Sequence, residues 1–332
     1  MDIAILIVFF GLIFDYTNGF HDAANVVSTV IATRALAPLS AIVMAGVLNF
    51  IGATQISGVA QTIAKGLVEI QETNQIVVLY GVIAAILWNL LTWRFGIPSS
   101  SSYALIGGLV GTALAHNKGA ILWQGLLHKV FLPMVFSPLI GFCIALLFMK
   151  ALLRYIRGRP EQKEKQLFRH LQIGSACFVA LSHGLNDAQK SMGLITLGLF
   201  TSGFLPSIEI PLWVILICAL TMALGTASGG FRIIRTLAFS ITKIDSVQGF
   251  AAEASSSLVI LTASFLGMPI SSTQVIAGGI TGVGAARGRK EVHWKVPKKM
   301  LLAWLFTFPG AGAFGALIYF AASFVTRCIH ES

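Results

Sequence analysis

Apolar runs alternate along the whole chain with short polar, mostly basic segments. Residues 36–60, 73–93, 95–117, 130–149, 210–231, 254–286 and 300–326 contain no Asp, Glu, Lys or Arg. Several of these runs reach the roughly 20 residues that a helix needs to cross about 30 Å of hydrocarbon. Stretches such as Ile3 to Phe10 and Trp213 to Cys218 are apolar at every position. The two-residue alternation of a membrane barrel is therefore absent, and helices are the remaining way to satisfy the backbone in lipid. The run 254–286 is too long for one simple crossing and is interrupted by Gly267-Met268-Pro269, which predicts a broken or re-entrant helix pair. Met1-Asp2 leads straight into an apolar run without a basic n-region or an obvious small-residue cleavage site, so this segment reads as a retained first helix.

The chain also matches itself. A shift of 171 positions superposes Gly96 on Gly267, Pro98 on Pro269, Gly107-Gly108 on Gly278-Gly279, Gly111 on Gly282, Trp123 on Trp294, Pro138 on Pro309 and Gly141 on Gly312. A shift of 165 pairs Gly19-Phe20-His21-Asp22-Ala23 with Gly184-Leu185-Asn186-Asp187-Ala188. Duplication is the economical cause. The predicted organisation is a first transmembrane repeat over 1–153, a basic cytoplasmic linker over 154–169 and a second transmembrane repeat over 170–332. The loop at 287–299 holds six basic residues, whereas its counterpart at 116–128 holds only Lys118. Corresponding loops are thus expected on opposite sides, which makes the fold an all-α polytopic membrane protein built as an inverted repeat.

Composition narrows the function. Only 11% of residues are charged, against roughly 25% in soluble domains, so the chain has too little polar surface for water. The formal charge of +10 raises nucleic acid as a partner. The basic residues crowd instead into 154–169 and 287–299, where retention of short loops in the cytoplasm explains them. Cys143, Cys177, Cys218 and Cys328 are too scattered for a metal cluster or a disulfide framework. There is no P-loop and no kinase, nuclease or hydrolase constellation, so no catalytic residues and no cofactor are expected. A transporter remains.

Two duplicated constellations carry candidate chemistry. The first is Gly19 to Asn25 with its partner Ser182 to Lys190. Each places a carboxylate among apolar residues, where an ionisable group is costly and usually functional. Asp22 and Asp187 are candidate sodium ligands, and Asn25, Asn186 and Gln189 could add neutral oxygens of the kind a hard cation prefers. His21 and His183 adjoin the motifs and keep protons open as the coupling ion. The second constellation is Gly96-Ile97-Pro98-Ser99-Ser100-Ser101-Ser102, repeated as Gly267-Met268-Pro269-Ile270-Ser271-Ser272-Thr273. Glycine breaks the preceding segment, proline suits a first helical turn and a hydroxyl caps the free N–H groups. Ser99, Ser100, Ser101, Ser102, Ser271, Ser272 and Thr273 are therefore candidate ligands of an anion held between two helix starts. The small-residue stretches Asn49 to Gly58 and Leu224 to Gly230 read as packing surfaces.

Through Gly19 to Asn25 with the following Val26-Val27-Ser28-Thr29, through Ser182 to Gly193, and through the paired Gly-Pro-Ser blocks, the chain resembles the PiT family of inorganic phosphate transporters over nearly its whole length. The resemblance implies a secondary transporter with re-entrant hairpins, often dimeric. Its substrate would be inorganic phosphate, driven by sodium or protons or carried as a metal-phosphate. It also implies cation or translocation roles for Asp22, Asn25, Asn186 and Asp187, and phosphate contacts from the hydroxyl blocks. His21 stands where the second copy has Asn186, which leaves the coupling ion open. The function expected is cation-coupled phosphate symport across the cytoplasmic (inner) membrane, among lipids. Transport of sulfate or another tetrahedral oxyanion, and a non-transporting signalling or scaffold role, are the alternatives.

The loop charges predict that Arg157 and Lys298 face the cytoplasm and Lys118 faces outward. Single cysteines placed at these positions and labelled from either side of sealed vesicles check all three; finding positions 118 and 298 on one side contradicts the inversion.

Overall fold

A computed structural model describes residues 2–228 and 231–331 of the chain. Thirteen α-helices appear among them, and no strand beyond one isolated bridge between Val68 and Ile121. The first half runs α1 (Ile3–Ala32), α2 (Pro38–Ala53), α3 (Gly58–Lys65), α4 (Gln75–Arg94), α5 (Ser101–His116), α6 (Trp123–Leu126) and α7 (Leu132–Ile156). A π turn over Leu127–Phe131 joins the last two into one apolar helix. The second half runs α8 (Glu161–Thr201), α9 (Leu212–Ser228), α10 (Phe231–Phe239), α11 (Ser246–Phe265), α12 (Ser272–Arg287) and α13 (Lys295–Glu331). The order long, medium, short, long, medium, long thus occurs twice. Of the basic stretch 154–169, only 157–160 lies outside helix, because α8 begins soon after Pro160 and carries Lys163, Lys165 and Arg169 on its first turns.

Among the described residues, four helices are long and apolar enough to cross a membrane: α1, α4, the joined α6–α7 and α13. The pair α2 and α3 makes a fifth candidate, bent by 68° at Thr54–Ser57. Exposure is inverted relative to a water-soluble protein. Leu39, Leu212, Leu301 and Phe324 lie on the outside, whereas Asp15, Asp22, Asp187, Lys190 and Glu253 are buried. Lipid explains the outer surface, and the interior must then satisfy the polar groups itself.

The predicted breaks are present. Gly96 and Gly267 adopt φ of +63° and +65°, a left-handed turn that a side chain would strain. They end α4 and α11, and the chain then reverses into α5 and α12. The two prolines do not occupy the first helical turn as their sequence context predicts. Pro98 and Pro269 sit two residues ahead of the caps Ser100 and Ser271, in the extended connection, and the hydroxyl caps alone open the helices. Each turn is held by the other half. Thr62 of α3 donates to the Gly267 carbonyl at 2.7 Å, Thr236 of α10 donates to the Gly96 carbonyl at 3.2 Å, and the Trp304 indole donates to the Pro98 carbonyl at 2.9 Å.

Packing partners exchange between the halves: α5 lies on α13, and α12 lies on α7. Glycines make these crossings close. A Cβ at Gly111 would lie 2.1 Å from the Gly312 carbonyl oxygen, and one at Gly282 would lie 2.4 Å from that of Phe142. The equivalent helices α1 and α8 run antiparallel, with Gly11 against Ile195 and Gly198 against Ile7, an arrangement consistent with an inverted repeat. Of the small-residue stretches, Gly52 meets the Leu181 carbonyl and Gly225 meets the Tyr16 carbonyl, which makes both packing surfaces; Gly229 and Gly230 lie outside the described residues.

Replacing Gly111 by Val is expected to destabilise the fold by at least the 1–3 kcal/mol that is typical of overpacking, since backbone rather than a movable side chain stands in the way. Gly174→Ala, where nothing lies within 4 Å, should leave the thermal midpoint in detergent unchanged or slightly raised. Equal midpoints for both variants would contradict the close crossing.

Candidate functional site

The two duplicated motifs meet. The first sits mid-helix on α1 and α8, which cross in the interior, and the second forms the N-terminal tips of α5 and α12. Gly19 and Gly184 lead into the motif copies and let a neighbouring backbone press in: a Cβ on Gly19 would lie 2.6 Å from the Met222 carbonyl of α9, and one on Gly184 would lie 2.2 Å from the Asn49 carbonyl of α2. With their outer faces packed this tightly, α1 and α8 turn Asp22, Asn25, Asp187 and Lys190 toward each other. The spacing of three residues within each pair keeps both members on one helical face.

On the first-half side, His21 Nδ1 lies 2.8 Å from Asp22 Oδ1, and its Nε2 lies 3.3 Å from the Thr92 hydroxyl and 3.4 Å from that of Ser99. The Asn25 amide donates to Thr273 Oγ1 at 2.8 Å and to Ser272 Oγ at 3.3 Å, and the Thr273 hydroxyl donates to Asp22 at 3.2 Å. Across the site, the Lys190 ammonium binds the Asp187 carboxylate, the Ser102 hydroxyl and, at 3.0 Å, the Ile270 carbonyl. His183 Nε2 lies 3.5 Å from Asp187 Oδ2. Ligand atoms of Asp22, His183 and Asp187 all fall within 4.8 Å of one another, close enough to hold one cation. Each of these side chains is almost wholly buried. Counting the two carboxylates and the ammonium alone, one negative charge is in excess.

The hydroxyl block divides by task. Ser100 and Ser271 are the helix caps, accepting from the N–H of Tyr103 and Gln274 at 3.3 Å each. Ser99 donates to Thr92, Ser101 lies 3.5 Å from His21 Nδ1, and Ser102 accepts from Lys190. Ser272 and Thr273 meet Asn25. The tips of α5 and α12 therefore present N–H groups and hydroxyls to the same interior that holds the two aspartates, an arrangement able to bind an anion next to a cation. Asn186 stays at the edge, donating to Ser264 Oγ and the Met268 carbonyl, with its own carbonyl oxygen unpartnered among the described residues. Gln189 is directed elsewhere. Its carbonyl accepts from the N–H of Val59 and Ala60 at the start of α3, and its amide donates to the Leu185 carbonyl. Two residues along a helix turn the side chain by about 200°, so Gln189 cannot share the face of Asp187.

Sequence reasoning assigned no role to Lys190, although the same offset that pairs the aspartates sets it opposite Asn25. It also passed over Asp15, which accepts from Ser191 at 2.7 Å, and Glu253, which accepts from Thr29, Gln172 and Ser175. A carboxylate bordering an otherwise uncharged apolar run was the available signal for both.

The profile of the phosphate transporter family matches residues 18–315. A probable low-affinity inorganic phosphate transporter of Mycobacterium bovis is 44% identical over 324 residues, which are 97% of this chain and 78% of that one. One of Bacillus subtilis is 41% identical over 327 residues, covering 97% of this chain and 98% of that one. A solved structure described as the sodium-dependent phosphate transporter superposes with a TM-score of 0.87 at 26% identity, covering 98% of this chain and 100% of that chain.

If Gln189 caps α3 rather than ligating an ion, Gln189→Ala should lower the thermal midpoint by the equivalent of about 1–2 kcal/mol, while Gln189→Glu, which keeps the oxygen that accepts from Val59 and Ala60, should lose less. The apparent affinity for the driving cation should change less than threefold in either. A tenfold loss of cation affinity without loss of stability would contradict the capping assignment.

Proposed function

The chain belongs to the phosphate transporter family, and we propose that it carries inorganic phosphate across the cytoplasmic membrane as a cation-coupled symporter. As a multi-pass membrane protein of that family it is a transporter and not an enzyme. The observation that carries the proposal is the convergence of two donor-rich helix tips, Ser99–Ser102 and Ser271–Thr273, on the buried Asp22 and Asp187.

Charge explains why the cation is needed. An anion beside two carboxylates is repelled unless positive charge accompanies it. A divalent phosphate entering an inside-negative cell is also opposed by about 4.6 kcal/mol per 100 mV. Each monovalent cation bound with the anion weakens the repulsion and removes about 2.3 kcal/mol per 100 mV of the opposing potential. Sodium is the first reading, because Asn25 Oδ1, Asn186 Oδ1 and Asp187 Oδ2 are buried oxygens left without hydrogen-bond partners among the described residues, suited to a hard monovalent ion. The sodium-dependent description of the structural neighbour points the same way. Protons are the second reading, favoured by the placement of His21 on Asp22 and of His183 beside Asp187.

Initial uptake of radiolabelled phosphate into proteoliposomes, at fixed pH and fixed potential with choline balancing osmolarity, tests this. An inward sodium gradient should drive uptake, and excess sulfate should compete poorly. Asp22→Asn or Asp187→Asn should lower the sodium-driven rate at least tenfold, in line with about 1.5–3 kcal/mol for a charge-assisted contact. Uptake indifferent to sodium that follows an imposed proton gradient assigns the coupling to protons. Uptake that follows neither gradient, or that sulfate suppresses as well as phosphate does, defeats the proposal.

A further inference from the structure

The two halves are alike in fold but not in charge at the centre. The offset that pairs Asp22 with Asp187 also pairs Asn25 with Lys190, and the second offset pairs Thr273 with Ser102. The contacts obey the same pairing: Asn25 reaches across to Thr273 as Lys190 reaches across to Ser102. Asn25 keeps a carbonyl oxygen free for a ligand. Lysine has three donors and no acceptor, so the second half cannot ligate an ion through this residue. The Lys190 Nζ itself stands where such an ion would, within a shell made only of oxygens: the Asp187 carboxylate, the Ser102 hydroxyl and the Ile270 carbonyl. Carboxylate, hydroxyl and backbone carbonyl are the ligand types that a hard cation takes.

We propose that Lys190 is a tethered cation filling the second of two pseudosymmetric cation positions, so that this carrier moves one cation fewer per anion than it would with a carboxamide there. The inference rests on the cation-symport reading above. A tethered charge neutralises Asp187 in every conformation and returns with the protein, so it adds nothing to the net charge carried over a full cycle. A diffusible ion in the same place would be delivered with the anion.

Lys190→Asn, which restores the residue of the first half, should therefore convert a fixed charge into a transported one. Phosphate accumulated at equilibrium by proteoliposomes is measured against a membrane potential imposed with potassium and valinomycin, at one pH on both sides. Adding one charge per phosphate steepens the accumulation ratio of Lys190→Asn over that of the unaltered chain by about 50-fold per 100 mV. The comparison holds whether the ion is sodium or a proton. A Lys190→Asn protein that transports with an unchanged voltage dependence overturns the proposal. Should that variant fail to fold or transport, the unaltered chain decides: parallel fluxes of the driving cation and phosphate are expected in a ratio of one, and a ratio of two or more overturns it. If neither sodium nor proton gradients drive phosphate in the unaltered chain, the symport reading itself has failed, a result distinct from either of these.

Discussion

Everything at the centre of this protein follows from burying two aspartates in a membrane-embedded interior. An ion removed from water loses several kcal/mol of solvation even after the protein relaxes, and only close opposite charge and hydrogen bonds recover it. Asp187 is compensated by Lys190 and neighboured by His183, while Asp22 is compensated by His21 and Thr273. The compensation is uneven. Asp187 holds the ammonium directly, whereas Asp22 is hydrogen-bonded to His21 and Thr273 and meets that charge only at longer range.

The broken helices answer the complementary need, a place for negative charge. A helix that simply crosses the membrane leaves its N-terminal N–H groups near the interface. A helix begun at a glycine turn in the interior brings those groups and their capping hydroxyls to the middle. The turns at Gly96 and Gly267 are stabilised by Thr236, Trp304 and Thr62, each from the opposite half. Neither half therefore completes its own tip, and a shift of one half against the other would move the helix tips and the aspartates together. The proposed symport would need such a linkage, since a cation that left both tips undisturbed could not change the affinity for an anion.

Close packing supports the arrangement without a hydrophobic driving force between helices in lipid. Gly107 and Gly111 against Phe308 and Gly312, like Gly278 and Gly282 against Pro138 and Phe142, bring backbones into contact. The large apolar side chains are displaced to the outside, as at Leu39 and Phe324, where lipid receives them.

The sequence by itself determined what depends on local pattern and fixed offset. The helical class follows from uninterrupted apolar runs, the breaks at Gly96 and Gly267 from glycine and proline, and the pairing of Asp22 with Asp187 from duplication. The serine caps were legible because capping acts over three residues. Only the tertiary structure decided which of the clustered hydroxyls meets which partner, since Ser102 with Lys190 and Thr273 with Asn25 are contacts across 88 and 248 residues of chain. It also decided that Gln189 caps α3 instead of facing its neighbour Asp187, because the turn per residue sends adjacent side chains to different helices. Lys190 shows the boundary most clearly. Its residue type and offset were written in the chain, but that its ammonium fills an oxygen shell at the centre of the protein depends on the crossing of α8 with the tips of α5 and α12, a geometry that no local pattern encodes.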